Sequence, residues 1–309
     1  MTVNIPDSKA NPSMDPHPEI IEILPTSLLE GNRQLVSELK GMARSLGLDF
    51  GWHYLLDLVW IINKLGQVDG KCIMDAGAGT GVVQWYLASK GAQVISVDRT
   101  SRANLPPRYR RRFRVRGKRQ EDLLPAGQVF VENFRSKSKL RAKLSSQTRD
   151  LIGMVEVRRS PGHVIIYNQD LLNLADIADN SMDAVVAVSA LEHNQPAELE
   201  LVVEELMRVL KPAGSLLATL GAARDQDWFH EPSHGWCYTD ASIRRLFHLS
   251  QDVPSNCDRY DELFTDLHEC AELRDNLAKF YFQSGDNGMP WGMWDPQYQS
   301  VGVCKVKPG

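Results

Sequence analysis

The chain has 309 residues, of which 43% are hydrophobic and 24% charged, a globular composition that excludes a disordered, collagen-like or disulfide-dense protein. Its formal net charge of −4 conceals a segregation, because residues 99–160 hold 18 Lys and Arg against 5 Asp and Glu. This basic segment therefore carries +13 within a body of −17, so the small net charge alone does not exclude a polyanionic partner.

Cysteine usage and the N-terminal region predict where the protein resides. The five cysteines are odd in number, far apart and without a C-x-x-C pair, which favours a reducing compartment. Residues 1–25 are polar and proline-rich without the apolar core of a secretory signal, and they predict a flexible arm. The apolar run 55–62 contains Asp57 and is much shorter than a membrane span. We therefore expect a cytoplasmic protein without a membrane span.

The predicted elements alternate between helices and strands. Residues 26–66 predict a helical cap, and 71–75, 82–90 and 93–98 predict a strand, a helix and a parallel strand. The next strand signal, at 163–167, comes more than 60 residues later, which predicts a basic insertion over 100–160 after the second strand. The later elements are a strand at 182–189, an amphipathic helix at 196–210, a strand at 215–220, a helix at 239–248 capped by Thr239 and a strand at 298–307.

This order predicts four parts. They are an arm at 1–25, a helical cap at 26–66, a main domain at 67–250 and a C-terminal part at 251–309 with a helix, an aromatic loop and the last strand. Strands that alternate with helices indicate an α/β protein with a mostly parallel sheet.

A glycine-rich loop follows the first predicted strand, in the sequence Asp75-Ala-Gly77-Ala-Gly79-Thr-Gly81. Glycines allow a tight turn and let a ligand approach the backbone closely. The spacing is G-x-G-x-G rather than the G-x-G-x-x-G of dinucleotide sites, and Asp75 would repel a pyrophosphate, so a cationic ligand fits better.

Two further aspartates follow the next two strands. Asp98 ends the second strand and can accept both hydroxyls of a ribose, and Asp170 follows the third strand, where it can accept from an adenine amine. A single aspartate at such a place is more often a helix cap or a surface charge. Three at successive strand ends beside a glycine loop indicate a nucleoside site.

The chain resembles the class I S-adenosylmethionine-dependent methyltransferases, in particular the type 11 methyltransferase group. The matching stretches are IMDAGAGTG (73–81), VISVD (94–98), NQDLLNLADIADNSMDAVVAVSALEHN (168–194) and EELMRVLKPAGSLL (204–217). The resemblance implies a Rossmann-like, seven-stranded, mostly parallel sheet with a reversed final strand. It also implies S-adenosyl-L-methionine as cofactor and S-adenosyl-L-homocysteine as product, with contacts from Tyr54, Asp75, Gly77, Gly79, Gly81, Asp98, Asp170, Leu171 and Ser189.

Methyl transfer to a hydroxyl also needs a base, which is commonly a histidine or a carboxylate. The candidates after the fourth and fifth strands are His193, Asp227, His230, Glu231 and His234, of which we favour the three histidines. A histidine bonded to backbone at the sheet edge is an equally good interpretation of His193. The string His230-Glu231-Pro232-Ser233-His234 matches the zinc-protease motif, but Pro232 opposes the helix that the motif requires, which argues against a metalloprotease. A metal held by His230, His234 and Cys237 to orient the acceptor is an open alternative, although we predict no metal.

Two segments have no counterpart in the group. Aromatic residues cluster at 280–282 and 287–294, which predicts either packing of a long loop or a wall for the acceptor. The basic segment has three interpretations: an RNA-binding arm, a cationic wall for a phosphorylated acceptor, or a contact that neutralises the acidic body within the chain or in a homo-oligomer.

The sequence therefore favours a methyltransferase acting on a hydroxyl or amine of a small biosynthetic molecule, such as a sugar or secondary metabolite. An RNA methyltransferase that binds RNA through the basic segment is the alternative. We place it second because the sequence has neither a recognisable separate RNA-binding domain nor a basic body. A non-catalytic S-adenosylmethionine-binding module is the third possibility.

Overall fold

The computed structural model describes residues 18–125, 127–129, 160–275, 289 and 293–309. Within them the strands are β1 (Ile20–Ile23), β2 (Cys72–Ala76), β3 (Gln93–Asp98), β4 (Arg114–Gly117), β5 (His163–Asn168), β6 (Met182–Val188), β7 (Leu210–Ala222), β8 (Trp228–His230), β9 (Gly235–Tyr238) and β10 (Gln299–Val306). The helices are α1 (Ser27–Gly31), α2 (Arg33–Leu46), α3 (Tyr54–Leu65), α4 (Val83–Ser89), α5 (Pro107–Arg112), α6 (Pro196–Val209), α7 (Asp240–Leu246), α8 (Tyr260–Glu269) and α9 (Ala271–Asp275).

One mixed sheet has the strand order β1-β10-β7-β6-β2-β3-β5-β4, and the hairpin of β8 and β9 joins it through β7. Neighbours from β7 to β4 run parallel, whereas β10 is antiparallel to β7, which confirms the expected reversed final strand. The described residues form ten strands rather than the seven predicted, and the additions include β1 and the hairpin. The α/β class with a mostly parallel sheet is confirmed.

Successive residues of the central strands face opposite layers of helices. Ile73 belongs to a core shared with α2, α3 and α4, and Met74 belongs to a second core shared with α6 and α7. A strand buried on both faces needs a continuous apolar run, which is the pattern of β2 and β6. Helix α3 lies directly on β10, because a Cβ added at Gly302 would stand 2.6 Å from the Trp60 ring.

Two predicted regions differ from the observed structure. The N-terminal arm was expected to be flexible to residue 25, but Ile20–Ile23 form β1, paired with β10. Residues 1–17 lie outside the described residues. The basic insertion contributes α5 and the edge strand β4, where Arg114 and Arg116 are exposed on either side of half-buried Val115, as the alternation predicts for a strand with one basic face. Within the segment, residue 126 and residues 130–159 are not among the described residues.

Candidate functional site

A cleft of about 620 Å³ opens at the carboxyl ends of β2, β3, β5 and β6. This is the end of a parallel sheet where ligands of open α/β folds bind. The nine residues predicted to contact a cofactor all line it, namely Tyr54, Asp75, Gly77, Gly79, Gly81, Asp98, Asp170, Leu171 and Ser189. The loop 47–50 closes another side, and the sequence contains no signal that would have predicted it.

The glycine loop is held against β3 by its own backbone. The amides of Gly77 and Ala78 both donate to the Val97 carbonyl at 2.9 Å. Gly77 has φ 74°, and a Cβ added there would stand 2.4 Å from Cβ of Ala190, so both the conformation and the space require glycine. Gly79 has φ 46° and borders the cleft. The loop thus presents backbone to the cleft where side chains would obstruct a ligand.

Asp98 organises the second strand end. Its Oδ2 accepts from the Gly79 amide at 2.8 Å, and its Oδ1 accepts from the Thr100 amide at 2.6 Å. A carboxylate offers about four acceptor positions, so these two bonds orient the group and leave capacity for hydroxyls of a ligand. The predicted ribose site is therefore a carboxylate already oriented by backbone.

Asp75 is 1% exposed, and its Oδ2 has no hydrogen-bond partner among the described residues. Burial raises the pKa of Asp75 to about 7; Arg102 opposes the rise and Asp98 adds to it. An unpartnered buried carboxyl at the cleft wall suits a cationic ligand, because a nearby positive charge would stabilise its ionised form. The residues present therefore fit a ligand with ammonium and sulfonium charges.

Ser189 follows β6 in a left-handed conformation, with φ 44°. Its amide donates to Thr219, and its hydroxyl donates to Oε1 of Glu192. Glu192 is buried, its Oε2 has no partner among the described residues, and burial raises its pKa. Sequence reasoning missed Glu192, although it stands beside His193 in the LEHN string. Glu192 does not line the cleft itself but lies directly behind Ser189, which does, and buried carboxyls with a raised pKa are common near functional sites.

The remaining predicted contacts lie at the rim. Asp170 is exposed, and its Oδ1 accepts from the Leu172 amide at 2.9 Å, as a turn-forming aspartate does. Tyr54 begins α3, and its ring packs over Gly51, where an added Cβ would stand 2.8 Å from the ring. The absence of a side chain at Gly51 thus sets the position of this aromatic wall.

The three histidines predicted as base candidates are not equivalent. His193 lines the cleft and is exposed, whereas His230 and His234 are not among its lining residues. Nδ1 of His193 lies 2.9 Å from the carbonyl oxygen of His234, and a carbonyl can only accept. Nδ1 therefore carries the proton in the neutral ring, which leaves the lone pair on Nε2.

His230 has the opposite arrangement. Its Nδ1 accepts from the Ser233 amide at 3.3 Å, so in the neutral ring the proton is on Nε2, which is buried without a partner among the described residues. Burial also lowers the pKa of His230. His234 is exposed with φ 51° and contributes its carbonyl to His193. The geometry thus favours His193 as the group that can accept a proton.

The protease-like string does not form a helix across both histidines. His230 ends β8, Glu231–Ser233 form one 3₁₀ turn, and His234 is left-handed. In the part of the chain that the structure describes, no group of three or more His, Cys, Asp or Glu side chains could hold a metal ion. None of the described helices is long and apolar enough to cross a membrane.

Several arginines of the described part of the basic segment donate hydrogen bonds to other groups of the chain. Arg110 donates to the carbonyls of Leu105, Leu124 and Ala103. Arg108 donates to the Leu46 carbonyl at 3.0 Å. Arg119 pairs with Asp176 and stands over the Tyr167 ring. This supports the intramolecular interpretation for these side chains, whereas the RNA and cationic-wall interpretations remain predictions.

Comparison with known proteins finds a matching family model and a curated relative that is similar over a short stretch. A family model described as "Methyltransferase domain" matches residues 138–218, about a quarter of the chain, without the glycine loop. The ubiquinone biosynthesis O-methyltransferase of Leptothrix cholodnii is 38% identical over 48 residues, which are 16% of this chain and 20% of that protein. The chain thus spans about a fifth of the curated relative it matches.

Two solved structures are similar at low identity. The phosphoethanolamine N-methyltransferase 2 of Haemonchus contortus, in complex with S-adenosyl-L-methionine, is 15% identical over 92% of this chain and 60% of its own, with a TM-score of 0.43. The 1,6-didemethyltoxoflavin-N1-methyltransferase of Burkholderia thailandensis is 11% identical over 92% and 85%, with a TM-score of 0.40. The family match includes residues 168–194 and 204–217, two of the stretches that carry the resemblance to the class I S-adenosylmethionine-dependent methyltransferases, and it supports a methyltransferase domain in this part of the chain.

Proposed function

We propose that this chain is a methyltransferase that uses S-adenosyl-L-methionine to methylate a hydroxyl or amine of a small biosynthetic molecule, such as a sugar or a secondary metabolite. The observation that carries the proposal is that one cleft gathers the nine predicted cofactor residues and His193. A cleft of about 620 Å³ has the size of a small-molecule site. The protein is expected in the cytoplasm, as its cysteine usage indicates.

The binding roles follow from the cleft. The backbone of Gly77, Gly79 and Gly81 would lie against the amino acid end of the cofactor, near the carboxyl of Asp75, and Asp98 would accept the ribose hydroxyls. Asp170 and Leu171 would border the adenine, Ser189 the methionine portion, and Tyr54 would cover the group. When bound, the cofactor supplies a methyl group already activated on a sulfonium, so positioning is the main task of the protein.

His193 would serve the acceptor. Its Nε2 lone pair can take the proton that a hydroxyl loses when its oxygen bonds to the methyl carbon, or the proton that a neutral amine releases after its nitrogen has done so. In either case the methyl carbon–sulfur bond would break and S-adenosyl-L-homocysteine would leave. The His234 carbonyl holds Nδ1–H at 2.9 Å, which fixes the ring and stabilises the imidazolium that forms. His230 remains the second candidate base, although its accessible lone pair is already used by the Ser233 amide.

Calorimetric titration with S-adenosyl-L-methionine tests the cofactor part. Asp98→Ala removes an acceptor for both ribose hydroxyls and the partner of the Gly79 amide, so we expect affinity to fall by roughly 100-fold. Asp252→Ala, at an exposed aspartate that does not line the cleft, is the matched control and should bind as the wild type does. Equal affinities of the two variants would refute the assignment of Asp98.

Formation of S-adenosyl-L-homocysteine over a panel of small hydroxyl and amine acceptors tests the reaction. His193→Gln should keep cofactor affinity within about threefold but lower turnover of a hydroxyl acceptor by roughly 10²-fold or more. His248→Gln, an exposed histidine after α7, is the control. Full turnover by His193→Gln would transfer the base role to another group, and cofactor binding without turnover of any acceptor would favour the non-catalytic module.

The RNA alternative has a separate test. Arg110 is partly buried and donates to three carbonyls of the chain, so it is not an exposed charge that RNA could contact freely. Arg114→Gln with Arg116→Gln changes only exposed positions of β4. Retention of the wild type on RNA at low salt, lost in this double variant, together with methylation of RNA rather than of small acceptors, would favour the RNA function.

A further inference from the structure

Arg102 is counted in the basic segment by its sequence position, but it is only 8% exposed. Its Nη2 donates to the Ser96 carbonyl at 2.6 Å and to the Tyr167 carbonyl at 3.4 Å. Its Nη1 donates to the Ser96 hydroxyl oxygen at 2.5 Å and to the Gly79 carbonyl at 3.3 Å. One guanidinium therefore joins β3, the end of β5 and the glycine loop.

The same bonds continue to the other end of the loop. The Ser96 hydroxyl donates to Oε1 of Gln84 at 2.7 Å, and the Gln84 amide donates to the Gly81 carbonyl at 3.2 Å. The carbonyls of Gly79 and Gly81 thus both accept from one network of hydrogen bonds that begins at Arg102. Gln84 and Ser96 are buried, so water does not compete for these bonds.

Burying a guanidinium is costly unless opposite charges compensate it. Burial lowers the pKa of Arg102, while Asp98, Asp75 and Asp122 raise it, in that order. Among the described residues its hydrogen bonds go to neutral oxygens, so its action on the carboxyls is through space. Asp75 faces two charged groups: Arg102 favours its ionised form and Asp98 disfavours it.

We propose that Arg102 is a positioning residue, which fixes the glycine loop through its hydrogen bond to the Gly79 carbonyl and holds a positive charge within electrostatic range of the Asp75 carboxyl at the cleft wall. The inference rests on the proposed function. Loss of the Arg102 side chain has two separable effects. The forked guanidinium positions the backbone through its hydrogen bonds, whereas the positive charge acts on the Asp75 carboxyl. A lysine supplies the charge without the fork, and a methionine supplies neither.

The test compares Arg102→Met, Arg102→Lys and, as control, Arg110→Met, a partly buried arginine that also donates to three carbonyls, none of them in the glycine loop. Calorimetric titration with S-adenosyl-L-methionine is carried out from pH 6 to 9. Wild-type affinity should rise with pH and level off near pH 7, where Asp75 becomes ionised. In Arg102→Met the affinity should go on rising to a pH about one unit or more above the point where the wild type levels off. Its affinity at pH 7 should be about tenfold lower than that of the wild type.

Arg102→Lys should level off close to the wild-type pH but bind more weakly, and Arg110→Met should resemble the wild type in both. A wild-type pH profile in Arg102→Met would overturn the inference. If Arg102→Met does not fold, Arg102→Lys alone decides. Wild-type affinity and pH profile in Arg102→Lys would refute the role of the guanidinium hydrogen bonds. A pH profile that moves to higher pH in this variant would refute the role of the positive charge.

A measurement without cofactor separates this inference from the proposed function. The free energy of unfolding of the cofactor-free protein, measured with denaturant, should fall as pH rises and level off near pH 7. The reason is that Asp75 holds its proton more tightly in the folded protein than in the unfolded chain. The levelling point should move upward in Arg102→Met, and the difference should vanish in an Asp75→Asn background. If the wild type binds no S-adenosyl-L-methionine but these shifts occur, the proposed function fails while the coupling of Arg102 to Asp75 stands.

Discussion

Replacing Asp75 by asparagine should make the free protein more stable while it abolishes tight cofactor binding. Burial raises the pKa of the Asp75 carboxyl from 3.8 to about 7. At about 1.4 kcal/mol for each pH unit, ionising it at pH 8 costs the folded state about 4 kcal/mol relative to the unfolded chain. Asparagine has nearly the same shape and never ionises, so this cost disappears in the variant.

The sign follows from where the proton is held. Folded Asp75 has the higher pKa, so the folded state binds more protons than the unfolded state between about pH 4 and 7. Wild-type stability therefore falls through this window and is constant above it. The advantage of Asp75→Asn should grow by about 2 kcal/mol between pH 5.5 and pH 8.

Urea unfolding at these two pH values measures the difference, and Asp170→Asn is the control. Asp170 also lines the cleft but is exposed, so its variant should stay within about 0.5 kcal/mol of the wild type at both pH values. Calorimetry on the same preparations should show cofactor affinity lost in Asp75→Asn. An advantage that does not change with pH, or a variant less stable than the wild type at pH 8, would refute the reasoning about burial.

Two further predictions concern packing. Gly51→Ala places a methyl group 2.8 Å from the Tyr54 ring and should displace it, lowering cofactor affinity by about tenfold in calorimetry, whereas Gly31→Ala, with open space around it, should leave affinity unchanged. In thermal or urea unfolding, Leu206→Ala in α6 should cost about 2–5 kcal/mol because the side chain is fully buried, and exposed Leu201→Ala should cost less than about 0.5 kcal/mol. Equal effects within either pair would contradict the packing described.

The alternation of strands and helices in the middle of the chain could be predicted because local patterns determine it. The continuous apolar runs of β2 and β6 and the Thr239 cap of α7 are present in the sequence itself. β1 could not be predicted, because four residues after prolines form a strand only when a partner supplies the hydrogen bonds. Its partner is β10, at the other end of the chain. The hairpin at 228–238 was missed because its strands are three and four residues long.

In the site, the motif spacing together with the family resemblance predicted which residues line the cleft but not how they interact. The three aspartates at strand ends meet there because parallel strands end at one edge. Arg102 was assigned to a basic segment, since a run of arginines has the same sequence signature whether one of them is buried or not. The choice among His193, His230 and His234 depends on which backbone groups face each ring, which only the folded chain determines.

Strand β1 has a consequence for the order in which the protein folds. Ile20 pairs with Cys304, and on its other side Ile21 donates to the Pro254 carbonyl and Ile23 is bonded to the Asn256 amide. During synthesis β1 emerges well before β10 and must wait for it, because all the other described strands lie between the two in sequence. The sheet from β2 to β7 can assemble earlier, so closing β10 against β7 and β1 is the step with the greatest sequence separation, and contacts of this kind slow folding.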